Sequence, residues 1–203
     1  MGRGWLRTRT AWWALLALGL WPLLSLVLRT VQDQLGANPA ETLIRATGDW
    51  TLRGLCLTLA VTPLRVMLGA PELLRFRRLL GLLTFVYACL HLLCYTGLDM
   101  GFEWRDIVHD IPKRPFVLVG ALAFALLVPL AATSWNGAIR RLGAQRWQAL
   151  HRSVYAVAVL AILHFWWMRA GKRNFTEVWV YGLVMAALLG WRVVRRVQSS
   201  RGD

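Results

Sequence analysis

The sequence predicts an all-α integral membrane protein: a six-transmembrane-helix bundle with both termini cytoplasmic, forming a single domain over residues 1–203. Three observations carry this reading. Hydrophobic side chains make up 57% of the chain and mean hydropathy is +0.47, the composition of a membrane protein rather than of a soluble domain. Six apolar runs of membrane length alternate with short polar connectors. Twelve tryptophans suit a chain whose helix ends lie in the headgroup region, where an apolar ring keeps a wet N–H. The net charge of +14 would also fit nucleic acid, but the arginines lie between apolar runs and no soluble basic domain is present. A lipid bilayer is the better partner for that charge.

The first run, 11–28, follows Arg3, Arg7 and Arg9. It exceeds a signal-peptide core and lacks a small-residue cleavage site, so it reads as an uncleaved signal anchor. A loop, 29–49, contains Gly36 and Pro39. The second span is 50–68, with Pro63 near its end, where a missing backbone donor costs least. A basic connector, 69–78, leads to span three, 79–98. Next comes an acidic loop, 99–115, which contains His109. Span four, 116–133, is followed by a polar, basic connector, 134–149. Span five, 150–169, a turn at 172–175 and span six, 176–194, complete the chain. No internal repeat or low-complexity segment is evident.

Charge orients the bundle. Fifteen of the 24 basic residues fall on the N-terminal side of the spans, which places both termini in the cytoplasm. Eight of ten acidic residues fall on the other side.

Ionisable groups inside a membrane are costly and mark function by default. His91 lies about twelve residues into span three, roughly 18 Å along its axis. His151 and His164 stand near the two ends of span five, roughly 20 Å apart. His91 and His164 therefore reach similar depth in the outer half of the bilayer. Two imidazoles at one depth on neighbouring helices can approach one iron from opposite faces, as in a six-coordinate electron-transfer haem. Interhelical hydrogen bonding is the competing use of such histidines. His151 lies at the inner boundary, where span three offers Arg78 rather than a histidine. On an ideal helix His151 and His164 also point roughly 140° apart, so they need separate sites or a distorted helix. Two readings are open for Arg77, Arg78 and Arg152: charge-assisted binding of haem propionates or a flavin phosphate, and ordinary positive-inside anchoring.

His109, beside Asp106 and Asp110, reads as solvated surface. Cys56, Cys89 and Cys94 match neither a zinc site nor the C-x-x-C-H pattern of covalent haem attachment, and read as small core residues. Phosphate-binding glycine loops, nucleophile elbows and paired membrane carboxylates are absent from the sequence, which leaves hydrolysis and ion pumping without their parts.

The six-span plan with His91, His151 and His164 resembles the ferric-reductase-like transmembrane cytochrome b superfamily. VTPLR (61–65), RFRRLLGLL (75–83), DIPKRPF (110–116) and IRRLGAQRWQALHRSVY (139–155) resemble, more closely, the MsrQ (formerly YedZ) family, over nearly the whole chain. The resemblance implies a haem b subunit of the bacterial inner membrane, with one or two haems and FMN. It would draw electrons from the quinone pool or a cytoplasmic flavin reductase. It would pass them to MsrP, a periplasmic molybdopterin methionine sulfoxide reductase that repairs oxidised envelope proteins. On this resemblance His91, His151 and His164 are the haem-linked histidines. The Arg77/Arg78 region occupies the place of the superfamily's fourth histidine. Two alternative circuits for the same haem are a quinol-oxidising cytochrome b anchor and a ferric reductase. A different class is a non-redox scaffold whose histidines only bridge helices.

Overall fold

The computed structural model describes residues 3–171 and 175–200. Of the predicted turn at 172–175, residues 172–174 lie outside the described residues. Every regular element among them is helical, in two compact units, Met1–Ile107 and Val108–Asp203.

In the first unit, α1 (Arg9–Val31) starts at Thr8, whose hydroxyl accepts from the Ala11 amide. It exposes Leu18, Leu24, Val27 and Val31, the surface expected of a helix facing lipid. Helix α2 (Pro39–Met67) corrects the predicted loop at 29–49, because residues 39–49 are helical. Asn38 accepts from the Glu41 amide at 3.1 Å, Pro39 occupies the first turn and Glu41 follows, so the helix start is written in Asn-Pro-Ala-Glu. Polar content at Glu41, Arg45 and Asp49 masked that signal.

After a short 3-10 turn (Pro71–Leu73), α3 (Leu74–Cys94) runs on through a π-helical turn (Tyr95–Asp99). Helices α2 and α3 pack together and bury Leu52, Leu55, Leu59, Thr84 and Ala88, while Leu83 of α3 lies against Gly19 of α1. Gly54 brings their backbones close, since a Cβ there would meet Thr84 Oγ1 at 2.6 Å. Tyr87 on α3 ties in α1 at Pro22. Its hydroxyl donates to the Gly19 carbonyl at 2.8 Å and accepts from the Leu23 amide at 3.2 Å, and so stands inside the helical ladder between those two groups. The predicted acidic loop contains α4 (Trp104–Lys113), which buries Ile107 and exposes Trp104 and Val108.

In the second unit, α5 (Pro115–Ala132) packs on α8 (Val154–Ala170), with Val117, Val119, Ala123, Val157 and Ala158 buried, and Phe165 of α8 meets Tyr181 edge-on. Two short helices, α6 (Asn136–Leu142) and α7 (Ala144–His151), fill the predicted connector and meet at Gly143, which has φ +76°. Span five is thus not one helix from residue 150. It breaks at Arg152 and Ser153, where Ser153 N–H donates to the Leu150 carbonyl and Tyr155 N–H to that of Arg152, both one residue short of α-helical spacing. The Ser153 hydroxyl donates to the Leu150 carbonyl as well, competing with the helix for that acceptor. Helix α9 (Thr176–Ser199) packs on α8, burying Val178 and Met185. Arg169 and Glu177 form an ion pair between these helices.

Five helical stretches among the described residues are long and apolar enough to cross a membrane: Arg9–Val31, Pro71–Asp99, Pro115–Ala132, Ala144–Ala170 and Thr176–Ser199. The sequence predicts six. The remaining one, α2, has the length at 29 residues, but Glu41, Arg45, Asp49, Arg53 and Arg65 dilute its apolar character.

Candidate functional site

His91 sits on α3 in the first unit, half-buried, with its ring against α2. Its Nδ1 lies 2.9 Å from the Ile44 carbonyl oxygen. A carbonyl oxygen only accepts, so Nδ1 carries the proton and the lone pair of the neutral ring falls on Nε2. One helical turn beyond Ile44, Gly48 faces the same ring. A Cβ built on Gly48 would stand 3.0 Å from His91 Cε1 and 3.1 Å from Nδ1.

The second unit repeats this device with different residues. His164, on α8, has its Nδ1 2.6 Å from the Phe116 carbonyl oxygen at the start of α5. One turn on, a Cβ built on Gly120 would stand 2.8 Å from His164 Nδ1 and 3.0 Å from Cε1. The Phe116 ring tilts against the imidazole at 6.2 Å. The spacings from carbonyl to histidine, 47 and 48 residues, are nearly the same. Each imidazole therefore presents the same nitrogen as an electron-pair donor, with the other held by backbone. Metal-binding imidazoles in proteins are generally built in this way.

His151 is held differently. It closes α7, stacks on Trp147 at 4.0 Å, and places Nε2 2.9 Å from Thr133 Oγ1. Thr133 spends its own proton on the Pro129 carbonyl at 2.6 Å, so its oxygen accepts from His151 Nε2–H and the lone pair of this neutral ring lies on Nδ1. Trp147 Nε1 donates to the Thr133 carbonyl at 3.0 Å and completes the cluster. The break at Arg152 and Ser153 also removes the single-helix geometry that relates His151 to His164 in the sequence reading.

Arg77 and Arg78 are exposed in the first two turns of α3, and Arg152 is exposed at the end of α7. His109 is exposed on α4. The three cysteines are free thiols of intermediate burial.

Sequence reasoning missed Gly48, Gly120, Thr133 and Trp147, along with the two carbonyls. A glycine one turn after an acceptor and a histidine some 47 residues beyond it recur in both units, but nothing in the sequence marks the acceptor. Only contact gives it meaning.

Comparison with known proteins agrees with this architecture. The family model described as the ferric reductase like transmembrane component matches residues 47–162, which include Gly48, His91, Gly120 and His151 but end before His164. Several relatives bear the name protein-methionine-sulfoxide reductase heme-binding subunit MsrQ, three of them as follows. The one from Polaromonas naphthalenivorans is 65% identical over 161 residues, covering 79% of this chain and 74% of the relative. The one from Ralstonia nicotianae is 55% identical over 176 residues, with 87% and 81% covered. The one from Azospira oryzae is 51% identical over 185 residues, with 91% and 79% covered. No solved structure matches the chain. With identity this high over most of both chains, and with the family model spanning more than half of this one, the chain belongs to the MsrQ family of ferric-reductase-like transmembrane proteins.

Proposed function

We propose that this chain is a haem b electron-transfer subunit of the bacterial inner membrane, serving a methionine sulfoxide reductase. The observation that carries the proposal is the pair of imidazoles, His91 and His164, each tied through Nδ1 to a backbone carbonyl so that Nε2 is the donor nitrogen. That donor chemistry fits haem iron. The name of the relatives, a heme-binding subunit of that reductase, supports the same reading. His91, His164 and His151 are the proposed iron ligands.

Bound haem would supply reversible one-electron carriage. The chain's own residues hold and orient the imidazoles and keep them among apolar side chains. His151 on this reading belongs to a second, inner haem, held through Nδ1 if the Thr133 hydrogen bond persists. Arg77, Arg78 and Arg152 are proposed to bind propionates or the phosphate of FMN, whose presence rests on the family resemblance alone. The full domain, 1–203, is proposed to cross the membrane six times with α2 as the polar member and both termini cytoplasmic. Electrons would enter from the quinone pool or a cytoplasmic flavin reductase and leave to MsrP, the periplasmic molybdopterin subunit. Each sulfoxide reduced to thioether and water consumes two electrons and two protons there.

The test is the purified chain itself. It should show a low-spin b-type spectrum that changes on reduction, and His91→Ala and His164→Ala should each remove the contribution of the haem that the histidine holds. Copurification and electron transfer to the periplasmic partner should require the same histidines. A colourless wild-type protein would overturn the proposal in favour of a non-redox scaffold.

A further inference from the structure

In an α-helix the carbonyl of residue i accepts from the amide of i+4, and the side chain at i+4 leans back over that same carbonyl. A second donor arriving from a neighbouring helix must pass that side chain, unless it enters the ladder itself as the Tyr87 hydroxyl does at Gly19, and it has the most room where position i+4 is glycine. Ile44 with Gly48, and Phe116 with Gly120, meet that condition at the two carbonyls that receive His91 and His164. Each missing side chain leaves room for the imidazole on the second lone pair of the carbonyl.

We infer that Gly48 and Gly120 are positioning residues for the haem-ligating imidazoles, acting by uncovering the Ile44 and Phe116 carbonyls so that each ring is locked in its Nδ1–H form and in one orientation. This rests on the haem reading above. The locked hydrogen bond draws the ring proton toward oxygen and makes Nε2 a stronger donor, which would favour the ferric state of a haem held there. Displacing the ring from its carbonyl would weaken that hold without removing the ligand.

The experiment compares the full-length haem-loaded chain with Gly48→Ala and Gly120→Ala. Gly54→Ala serves as the control, since it presses a Cβ onto Thr84 Oγ1 at 2.6 Å in the same α2–α3 interface, away from His91. Readouts are the electron paramagnetic resonance spectrum of the ferric haem, carbon monoxide binding to the ferrous haem, and the midpoint potential.

The two seat variants should show a high-spin component, a several-fold gain in carbon monoxide binding and a higher potential. Gly54→Ala should retain the wild-type spectrum and potential. Wild-type behaviour in both seat variants, or an equal change in Gly54→Ala, overturns the inference while leaving the haem reading intact. A colourless wild type overturns the haem reading instead. If a seat variant does not accumulate, ¹⁵N-histidine spectra of the ferrous wild-type protein decide. Both rings must carry their proton on Nδ1, and a proton absent from Nδ1 in either one sinks the inference.

Discussion

Replacing Tyr87 with phenylalanine should destabilise the folded chain by about 1–3 kcal/mol. Pro22 supplies no amide, and the Tyr87 hydroxyl completes the ladder beside it by bridging the Gly19 carbonyl at 2.8 Å and the Leu23 amide at 3.2 Å. Tyr87 is 3% exposed, so no water can take over either bond. Side-chain hydrogen bonds within membrane proteins are worth about 0.6 kcal/mol on average and about 1.7 at most. Two of them set the scale, and partial closure of Leu23 onto Gly19 moves the result toward its lower end. Phenylalanine keeps the ring that stacks on Trp50 at 6.2 Å, so the hydroxyl alone is tested. A loss of about 2 kcal/mol lowers the folded-to-unfolded ratio roughly thirtyfold. Reversible unfolding in mixed micelles with a rising fraction of sodium dodecyl sulfate, followed by far-ultraviolet circular dichroism, measures it. A variant within about 0.3 kcal/mol of wild type would refute the inserted-hydroxyl account, since two lost bonds exceed that difference.

Asn38→Ala removes the side-chain acceptor of the Glu41 amide and should cost about 1 kcal/mol in the same assay, whereas an unchanged midpoint would mean the cap does not hold α2. Gly143→Ala forces a side chain into φ +76°, ψ 152° between α6 and α7, and about 1–3 kcal/mol of strain should appear as a lower unfolding midpoint. For the proposed six-span topology, a cysteine at Asp106 should react with an impermeant maleimide added to intact cells, and one at Arg140 only after lysis. Cys56, Cys89 and Cys94 are replaced by serine for this purpose, and the opposite pattern inverts the bundle. His151 should carry its proton on Nε2 in ¹⁵N spectra of the chain without haem, unlike His91 and His164. Finding it on Nδ1 would refute the Thr133 arrangement.

Most of the helices were legible because apolar length is a strong signal. The observed α1, α5 and α9 overlap the predicted spans with shifts of a few residues at most ends. What was misread was polar helix. Residues 39–49 and α4, α6 and α7 carry charges or are short, and a search tuned to hydropathy passes over them even where Asn38, Pro39 and Glu41 announce a helix start. The break at Ser153 was invisible for another reason, since a single serine hydroxyl competing for a carbonyl leaves no trace in periodicity.

The sequence by itself determined that this is a helical membrane protein, that three imidazoles stand in or at the edge of its apolar spans, and which family it resembles. These are matters of composition, spacing and shared segments. Tertiary structure alone decided which ring nitrogen each histidine offers. That choice depends on what the opposite nitrogen touches, a backbone carbonyl uncovered by glycine for His91 and His164 and a threonine hydroxyl for His151. Every residue has a carbonyl, so no sequence pattern marks the one left open to a neighbouring helix until the two helices are packed together.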